Sequence, residues 1–322
     1  MSTSRDDPMT DTLTLLFAAP PADWAEYEAP LTDAFARAGF AARIVTATDR
    51  PETIDYIIYA PSGPVSDFTP FTRTRAVLSL WAGVERIVTN PTLTQPLVRM
   101  VDPEGLSQGM AEWVTGHVLR HHLGIDRQIL HQDGTWDPVV PKLAPDRAVT
   151  VLGLGELGAV AAAALARLGF RVSGWSRHPR DLDGVTCHHG PDGLSRALRG
   201  AEIVVLLLPL TPATENLIDA GRLALLARDA VILNPGRGGL IDDHALIAAL
   251  DAGHLAHATL DVFRTEPLPP EHPFWAHPRI TVTPHVAAAT RPGSAARRIA
   301  ETVALAEAGH PLPHLVDRTT GY

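Results

Sequence analysis

Apolar residues in the first hundred positions come in short runs separated by stretches with helical spacing. Residues 13–19 form an apolar run broken only by Thr14, 22–38 carry a helical period that stops at Gly39, and 41–47, 54–60 and 76–80 read as strands. Alternation of this kind predicts a small open α/β unit with a parallel sheet. A long helix is predicted over about 107–130. Its apolar positions, among them Met110, Val114, Val118, Leu123, Ile125 and Ile129, spread over more than one stripe, and Trp113 and Leu119 widen the face. Such a helix needs cover on several sides, so it is expected to pack on its own domain and on a second subunit. Residues 134–147 are rich in proline and polar groups and read as a connecting loop.

From residue 148 the alternation becomes regular. Strands are predicted at 148–154, 171–175, 202–209, 230–235, 257–262 and 280–283. Helices are predicted at 157–168, within 214–227, at 242–252 and at about 293–307. Near-continuous apolar strands in such an order mean a parallel sheet covered on both faces. The last helix follows this second unit and is expected to return to the first.

The strand at 148–154 runs into Gly153-Leu-Gly155-Glu156-Leu157-Gly158 and then an alanine-rich helix. Gly153 permits a tight turn, Gly155 lets backbone approach a pyrophosphate, and Gly158 lets helix and strand pack closely. The helix N-terminus then offers free N–H groups to the phosphates. With both flanks correct, the turn predicts dinucleotide binding. The next strand ends in Trp175-Ser176-Arg177, where NAD-binding units usually place an acidic residue on the ribose. A hydroxyl and a guanidinium suit a 2′-phosphate instead. NADP(H) is therefore the expected cofactor, with NAD(H) also accommodated.

Three polar residues follow later strands: Arg237 after 230–235, Glu266 after 257–262, and His285 after 280–283. In open α/β sheets the carboxyl ends of strands line the ligand crevice, so all three can converge there. The types suit carbonyl reduction, in which a nicotinamide supplies hydride and the oxygen needs a proton. Histidine titrates near neutrality and is the natural general acid. Glu266, hydrogen-bonded to the other ring nitrogen, favours the protonated imidazole. Arg237 offers a planar fork to a carboxylate and polarises the carbonyl.

Composition narrows the partners. Apolar residues make up 45% and charged residues 20% of the 322, as in an ordinary globular protein, and the length suits two domains. The formal net charge of −9, with no basic block, disfavours nucleic acid. No apolar run approaches a membrane span. Residues 1–11 are polar and acidic, which argues against a signal peptide and for a mobile tail. Cys187 is the only cysteine, which fits a reducing cytoplasm. The His121-His122 and Cys187-His188-His189 clusters put neighbours on different faces, so no metal site is expected.

Asn-Pro-Gly-Arg-Gly at 234–238, Asp-Val-Phe-Arg-Thr-Glu-Pro-Leu-Pro-Pro at 261–270 and Thr-Pro-His-Val-Ala-Ala at 283–288 stand in a specific order. With Leu-Leu-Pro-Leu-Thr-Pro-Ala-Thr-Glu at 207–215, the chain resembles the D-isomer-specific 2-hydroxyacid dehydrogenase family over essentially its whole length. The ending at 316–322 and Thr290-Arg-Pro resemble its shorter bacterial glyoxylate/hydroxypyruvate reductase branch.

The resemblance implies an α/β fold of two open parallel-sheet domains, a Rossmann dinucleotide-binding domain at 105–287 and a smaller flavodoxin-like substrate domain at 1–104, completed by 288–322. It implies that Arg237, Glu266 and His285 form the catalytic set. Asp261 would orient the nicotinamide carboxamide, Asn234 and Pro235 would line the cofactor side, and Leu208 and Pro209 would cover the adenine side. The backbone of Trp81, Ala82 and Gly83 would hold the substrate carboxylate. The expected reaction is reduction of a small 2-keto acid, glyoxylate or hydroxypyruvate, by a homodimer using the crevice between its domains. Trp81 replaces a small residue of many members. Its indole either narrows or reshapes the pocket or stacks over it, which leaves a bulkier or aromatic 2-keto acid as an alternative substrate, or it turns into the domain core. A dinucleotide-sensing corepressor on the same architecture is the reading outside enzymology.

Overall fold

The computed structural model describes residues 12–318 and 321. The predicted N-terminal tail, 1–11, lies outside the described residues. The chain divides into two compact units, one from the N-terminal part through Gly105 together with the residues from Thr290, the other Leu106–Ala289.

In the first unit, β1 (Leu13–Ala18), β2 (Ala42–Val45), β3 (Tyr56–Tyr59), β4 (Ala76–Ser79) and the two-residue β5 (Leu97–Val98) form one parallel sheet in the order β2-β1-β3-β4-β5. This is the flavodoxin-like strand order. β1, β3 and β4 are almost wholly buried, because strands covered on both faces must be apolar throughout. Helix α1 (Trp24–Arg37) buries Tyr27, Leu31, Ala34 and Phe35 on the i, i+4, i+7, i+8 stripe. The short α2 (Glu85–Val88) follows the loop that carries Trp81. That indole is 38% exposed, so it does not turn into the domain core.

The second unit opens with α3 (Gln108–Leu123) and α4 (Ile125–Leu130). Sequence periodicity joins these into one helix. The structure breaks them at Gly124, which takes φ 65 and caps α3 through its N–H to the Arg120 and His121 carbonyls. α3 buries Met110, Ala111, Val114, Val118 and His122, whereas Ile129 and Leu130 on α4 are 65% and 78% exposed.

The rest of the unit is strand and helix in turn: β6 (Ala148–Leu152), α5 (Glu156–Arg167), β7 (Arg171–Ser176), β8 (Val185–His189), α6 (Gly190–Leu198), β9 (Ile203–Leu206), α7 (Ala220–Leu223), β10 (Ala230–Asn234), α8 (Asp243–Asp251), β11 (Leu255–Leu260), α9 (Pro273–Ala276) and β12 (Ile280–Val282). β8 and α6 have no counterpart in the pattern of the sequence. The helical stretch expected within 214–227 shrinks to the single turn of α7. Asn216 sits at φ 48, and Asp219 starts the turn by accepting from the Arg222 N–H, so no helix runs through this segment.

The seven strands are parallel in the order β12-β11-β10-β9-β6-β7-β8. The order reverses between β6 and β9, the switch point at which open α/β sheets bind ligands. Both sheets are thus those of the α/β class expected, a Rossmann unit and a flavodoxin-like unit. The last helix, α10 (Pro292–Glu307), belongs to the first unit and packs along α1. Among the described residues no helix is long and apolar enough to cross a membrane.

Candidate active site

The glycine turn follows β6 as the sequence demands. Gly153 takes φ 104, a conformation L side chains avoid, and a Cβ there would stand 2.4 Å from the Leu207 carbonyl oxygen. The turn therefore rests on the Leu207–Leu208 backbone, which brings Leu208 and Pro209 beside it. A Cβ on Gly158 would lie 1.7 Å from the Gly153 oxygen, so only glycine lets α5 seat against the turn. Gly155 is the opposite case: a Cβ there would meet nothing within 4 Å, and Gly155 and Glu156 are exposed. Open space before a helix N-terminus, bounded by two glycines that no side chain could replace, fits a pyrophosphate. At the end of β7 the Ser176 hydroxyl donates to the His178 carbonyl at 2.7 Å, and Arg177 Nε donates to His178 Nε2 at 3.0 Å.

Arg237, Glu266 and His285 all follow strands of this sheet: β10, β11 and β12. Glu266 and His285 are joined directly, with His285 Nδ1 2.8 Å from Glu266 Oε2. A carboxylate can only accept, so Nδ1 carries the hydrogen and Nε2 is the nitrogen left for proton exchange. The other glutamate oxygen accepts from the Phe263 N–H at 2.8 Å, which fixes the carboxylate plane. The imidazole side chain is 52% exposed, accessible to a reactant.

His285 has φ 54, unusual for a residue with a side chain. Its turn is held from below by Asp261. The Asp261 carbonyl accepts from the His285 N–H at 2.9 Å. The Asp261 carboxylate accepts from the Thr283 hydroxyl at 2.5 Å, from the Val286 N–H at 3.0 Å and from the Ala287 N–H at 2.9 Å. A strained backbone persists where its surroundings over-determine it, and Asp261 does that here. Its carboxylate is fully buried, so in this structure it serves the histidine turn, a role that the sequence alone does not reveal.

Asn234 is likewise turned inward. It is 1% exposed, donates from Nδ2 to the Arg237 carbonyl at 2.9 Å and accepts from the Gly236 N–H at 3.2 Å. Its side chain closes the turn that carries Arg237, whose guanidinium donates to the Gly236 carbonyl at 2.7 Å and is half-buried. Pro235 is buried beside it. Gly238 brings this turn against the glutamate loop, since a Cβ there would lie 2.1 Å from the Phe263 carbonyl carbon. In the first unit, Trp81 donates its N–H to the Ser79 hydroxyl at 3.0 Å, and Ala82 and Gly83 follow in the open loop before α2.

Sheet order, glycine turn and His–Glu pair define a dinucleotide-dependent dehydrogenase, and the comparisons agree. Residues 114–287 match the family described as D-isomer specific 2-hydroxyacid dehydrogenase, NAD binding domain. The chain is 40% identical to glyoxylate/hydroxypyruvate reductase A of Yersinia enterocolitica over 256 residues, 77% of this chain and 82% of that protein. Among solved structures, a D-isomer specific 2-hydroxyacid dehydrogenase of Xanthobacter autotrophicus Py2 in complex with NADPH and MES is 42% identical. Its TM-score is 0.89, over 97% of this chain and 100% of that one. An NADPH-dependent glyoxylate/hydroxypyruvate reductase of Sinorhizobium meliloti, with NADP and sulfate, is 35% identical, with TM-score 0.84 over 97% and 100% of the two chains. This chain belongs to the D-isomer-specific 2-hydroxyacid dehydrogenase family.

Proposed function

We propose that the protein reduces a small 2-keto acid, glyoxylate or hydroxypyruvate, to the corresponding 2-hydroxy acid with NADPH. The observation that carries the reading is the 2.8 Å contact between His285 Nδ1 and Glu266 Oε2, on the strand ends of a sheet that also bears the glycine turn. The bound dinucleotide supplies hydride to the keto carbon. His285 gives a proton from Nε2 to the carbonyl oxygen, and Glu266 stabilises the imidazolium that precedes transfer. Arg237 polarises the carbonyl and pairs with the carboxylate, to which Ala82 and Gly83 contribute backbone N–H groups, while the Trp81 N–H stays with the Ser79 hydroxyl and places the loop.

Gly153, Gly155, Glu156, Leu157 and Gly158 hold the pyrophosphate, with Leu208 and Pro209 beside the adenosine. Ser176 and Arg177 take the 2′-phosphate, in keeping with the NADPH and NADP that the two solved relatives carry. Pro235 and Asp261 stand on the nicotinamide side, Asp261 chiefly through the histidine turn. Steady-state reduction of glyoxylate, hydroxypyruvate and larger 2-keto acids with NADPH and NADH tests the reading. Turnover of the two small acids with NADPH preference supports it, and no turnover of any 2-keto acid overturns it.

A homodimer in the cytoplasm completes the proposal. Ile129, Leu130, Trp136, Val140 and Leu143 are each at least 65% exposed within fifteen consecutive positions, more apolar surface than a lone subunit gains by showing. A second copy is the occupant proposed for this face. Light scattering after size exclusion should give twice the chain mass, and Leu130→Asp with Trp136→Asp should give the monomer. The free Cys187 thiol suits a reducing compartment.

A further inference from the structure

We propose that Arg264 is a positioning residue that sets the Glu266–His285 pair, pinning the loop that carries the glutamate. The inference rests on the reading of His285 as proton donor. Glu266 lies in the irregular segment 261–272 between β11 and α9. Packing secures this segment only in part: Val262 is buried and Phe263 and Leu268 pack on the core of the second unit, whereas Arg264 and Glu266 are exposed. A cavity of about 230 Å³ adjoins it, lined on the loop side by Val262, Phe263 and Leu268 and on the other by Ile241, Leu246 and Phe274. Beside this open pocket the loop makes fewer dispersion contacts to hold its backbone in one place.

Arg264 makes polar contacts from the wall of that cavity. Its Nε lies 3.2 Å from Asp243 Oδ2, its guanidinium donates to the Ile241 carbonyl at 2.5 Å and to Asn216 Oδ1, and Glu215 stands 3.8 Å away. These acceptors come from two separate segments, the turn after β9 and the start of α8. A planar fork can satisfy several acceptors at fixed angles, which an ammonium cannot. Burial pushes the Asp243 carboxyl up, and the neighbouring guanidinium opposes that shift, so the pair supports itself.

The pin acts on the site through two short links. The Phe263 N–H holds Glu266 Oε1 at 2.8 Å, one residue from Arg264, and Glu266 Oε2 holds the imidazole. The Phe263–Arg264 backbone also packs directly on Gly238, next to Arg237. Movement at Arg264 therefore displaces the glutamate against the histidine and against the Arg237 turn.

The test compares wild type with Arg264→Ala and Asp243→Asn. Misplacement on the scale of an ångström costs up to about a hundredfold in turnover. For Arg264→Ala we expect kcat to fall by about 10- to 100-fold with the keto-acid KM within about threefold. The pH at which turnover halves should move down, because the imidazolium has lost its aligned partner. Millimolar guanidinium should restore part of kcat, and ammonium at equal ionic strength should not. In the ligand-free protein, amide exchange should rise in the peptide spanning Phe263 and Glu266 and in those holding its acceptors, around Asn216 and Ile241–Asp243, and not elsewhere in the second unit. Asp243→Asn should shift each readout the same way by less, and it serves alone if Arg264→Ala does not fold. Wild-type kcat and pH profile in these variants overturn the proposal. So does a loss of activity with general exchange across the unit and no pH shift. Should wild type itself reduce no 2-keto acid, the functional reading fails, while local exchange still decides whether Arg264 holds the loop.

Discussion

Alanine at Gly158 is the perturbation whose consequence can be worked furthest. The new Cβ would stand 1.7 Å from the Gly153 oxygen and 2.9 Å from its carbonyl carbon. Carbon and oxygen rest in contact at about 3.3 Å, so helix and turn must separate by about 1.6 Å. Overpacking on this scale costs about 1–3 kcal/mol, or a fall in Tm of about 2–12 °C for a unit of this size. The N–H groups at the start of α5 retreat with the helix. A hydrogen bond to a charged group is worth about 1.5–3 kcal/mol, so losing one weakens NADPH about 10- to 200-fold. Gly155→Ala separates the two effects, because its Cβ meets nothing within 4 Å at an ordinary φ of −79. That variant should keep its stability within about 0.5 kcal/mol and still bind NADPH about tenfold more weakly, its methyl standing where phosphate approaches. Calorimetric titration with NADPH and thermal unfolding read both quantities. Wild-type affinity in Gly155→Ala would remove the pyrophosphate from this turn. An unperturbed Gly158→Ala would show that α5 does not rest on Gly153.

His285→Ala should lower kcat about 10²- to 10⁴-fold with NADPH binding intact. Glu266→Gln should move the fall in reduction to lower pH, since an amide stabilises the imidazolium less than a carboxylate; an unshifted profile denies the coupling. Arg177→Ala should raise the KM for NADPH and leave that for NADH nearly alone, and equal effects on both would take the guanidinium off the 2′-phosphate. His121 and His257 predict weakness in acid. Burial, reinforced by facing cationic groups, lowers them to about 3 and about 4 from 6.5. The folded state therefore binds fewer protons than the unfolded one between about pH 4 and 6.5, and stability falls as pH drops through that window. The loss is on the order of 2 kcal/mol per histidine at pH 5, and His121→Gln should reduce it in urea unfolding at pH 7.5 and 5. The same midpoint at both pH values would refute the account of these two residues.

Much of this was legible along the chain where local pattern and tertiary role coincide. β6, β9 and β10 are near-continuous apolar runs, broken only by Thr150 and Asn234, as a strand buried on both faces requires. The glycine turn is legible because its requirements are steric and local. β8 escaped because Val185–His189 has exposed and half-buried positions at the sheet edge, with no apolar run to announce it. The break at Gly124 was hidden because apolar residues continue beyond it, and those on α4 point outward.

At the site, His285, Glu266 and Arg237 are legible through their joint placement after strands that follow a dinucleotide turn, and through the family motifs that carry them, rather than through residue type alone. The inward turn of Asp261 and Asn234 was not legible, since an acid or amide after a strand reads the same whether it faces a ligand or its own loop. Arg264 is not legible in the sequence, because an arginine in a loop beside a glutamate reads as a solvated charge. Its partners, Asn216, Ile241 and Asp243, come together only in the folded unit.

The central claim is that hydride comes from the reduced dinucleotide while His285 delivers the proton. Its most direct test follows the label from NADPH deuterated at the transferring C4 position into the product of glyoxylate reduction. The account predicts glycolate with deuterium on its hydroxyl-bearing carbon from wild type, and no comparable product from His285→Ala although that variant still binds NADPH. Unlabelled glycolate, or labelled glycolate formed by His285→Ala at the wild-type rate, would contradict it.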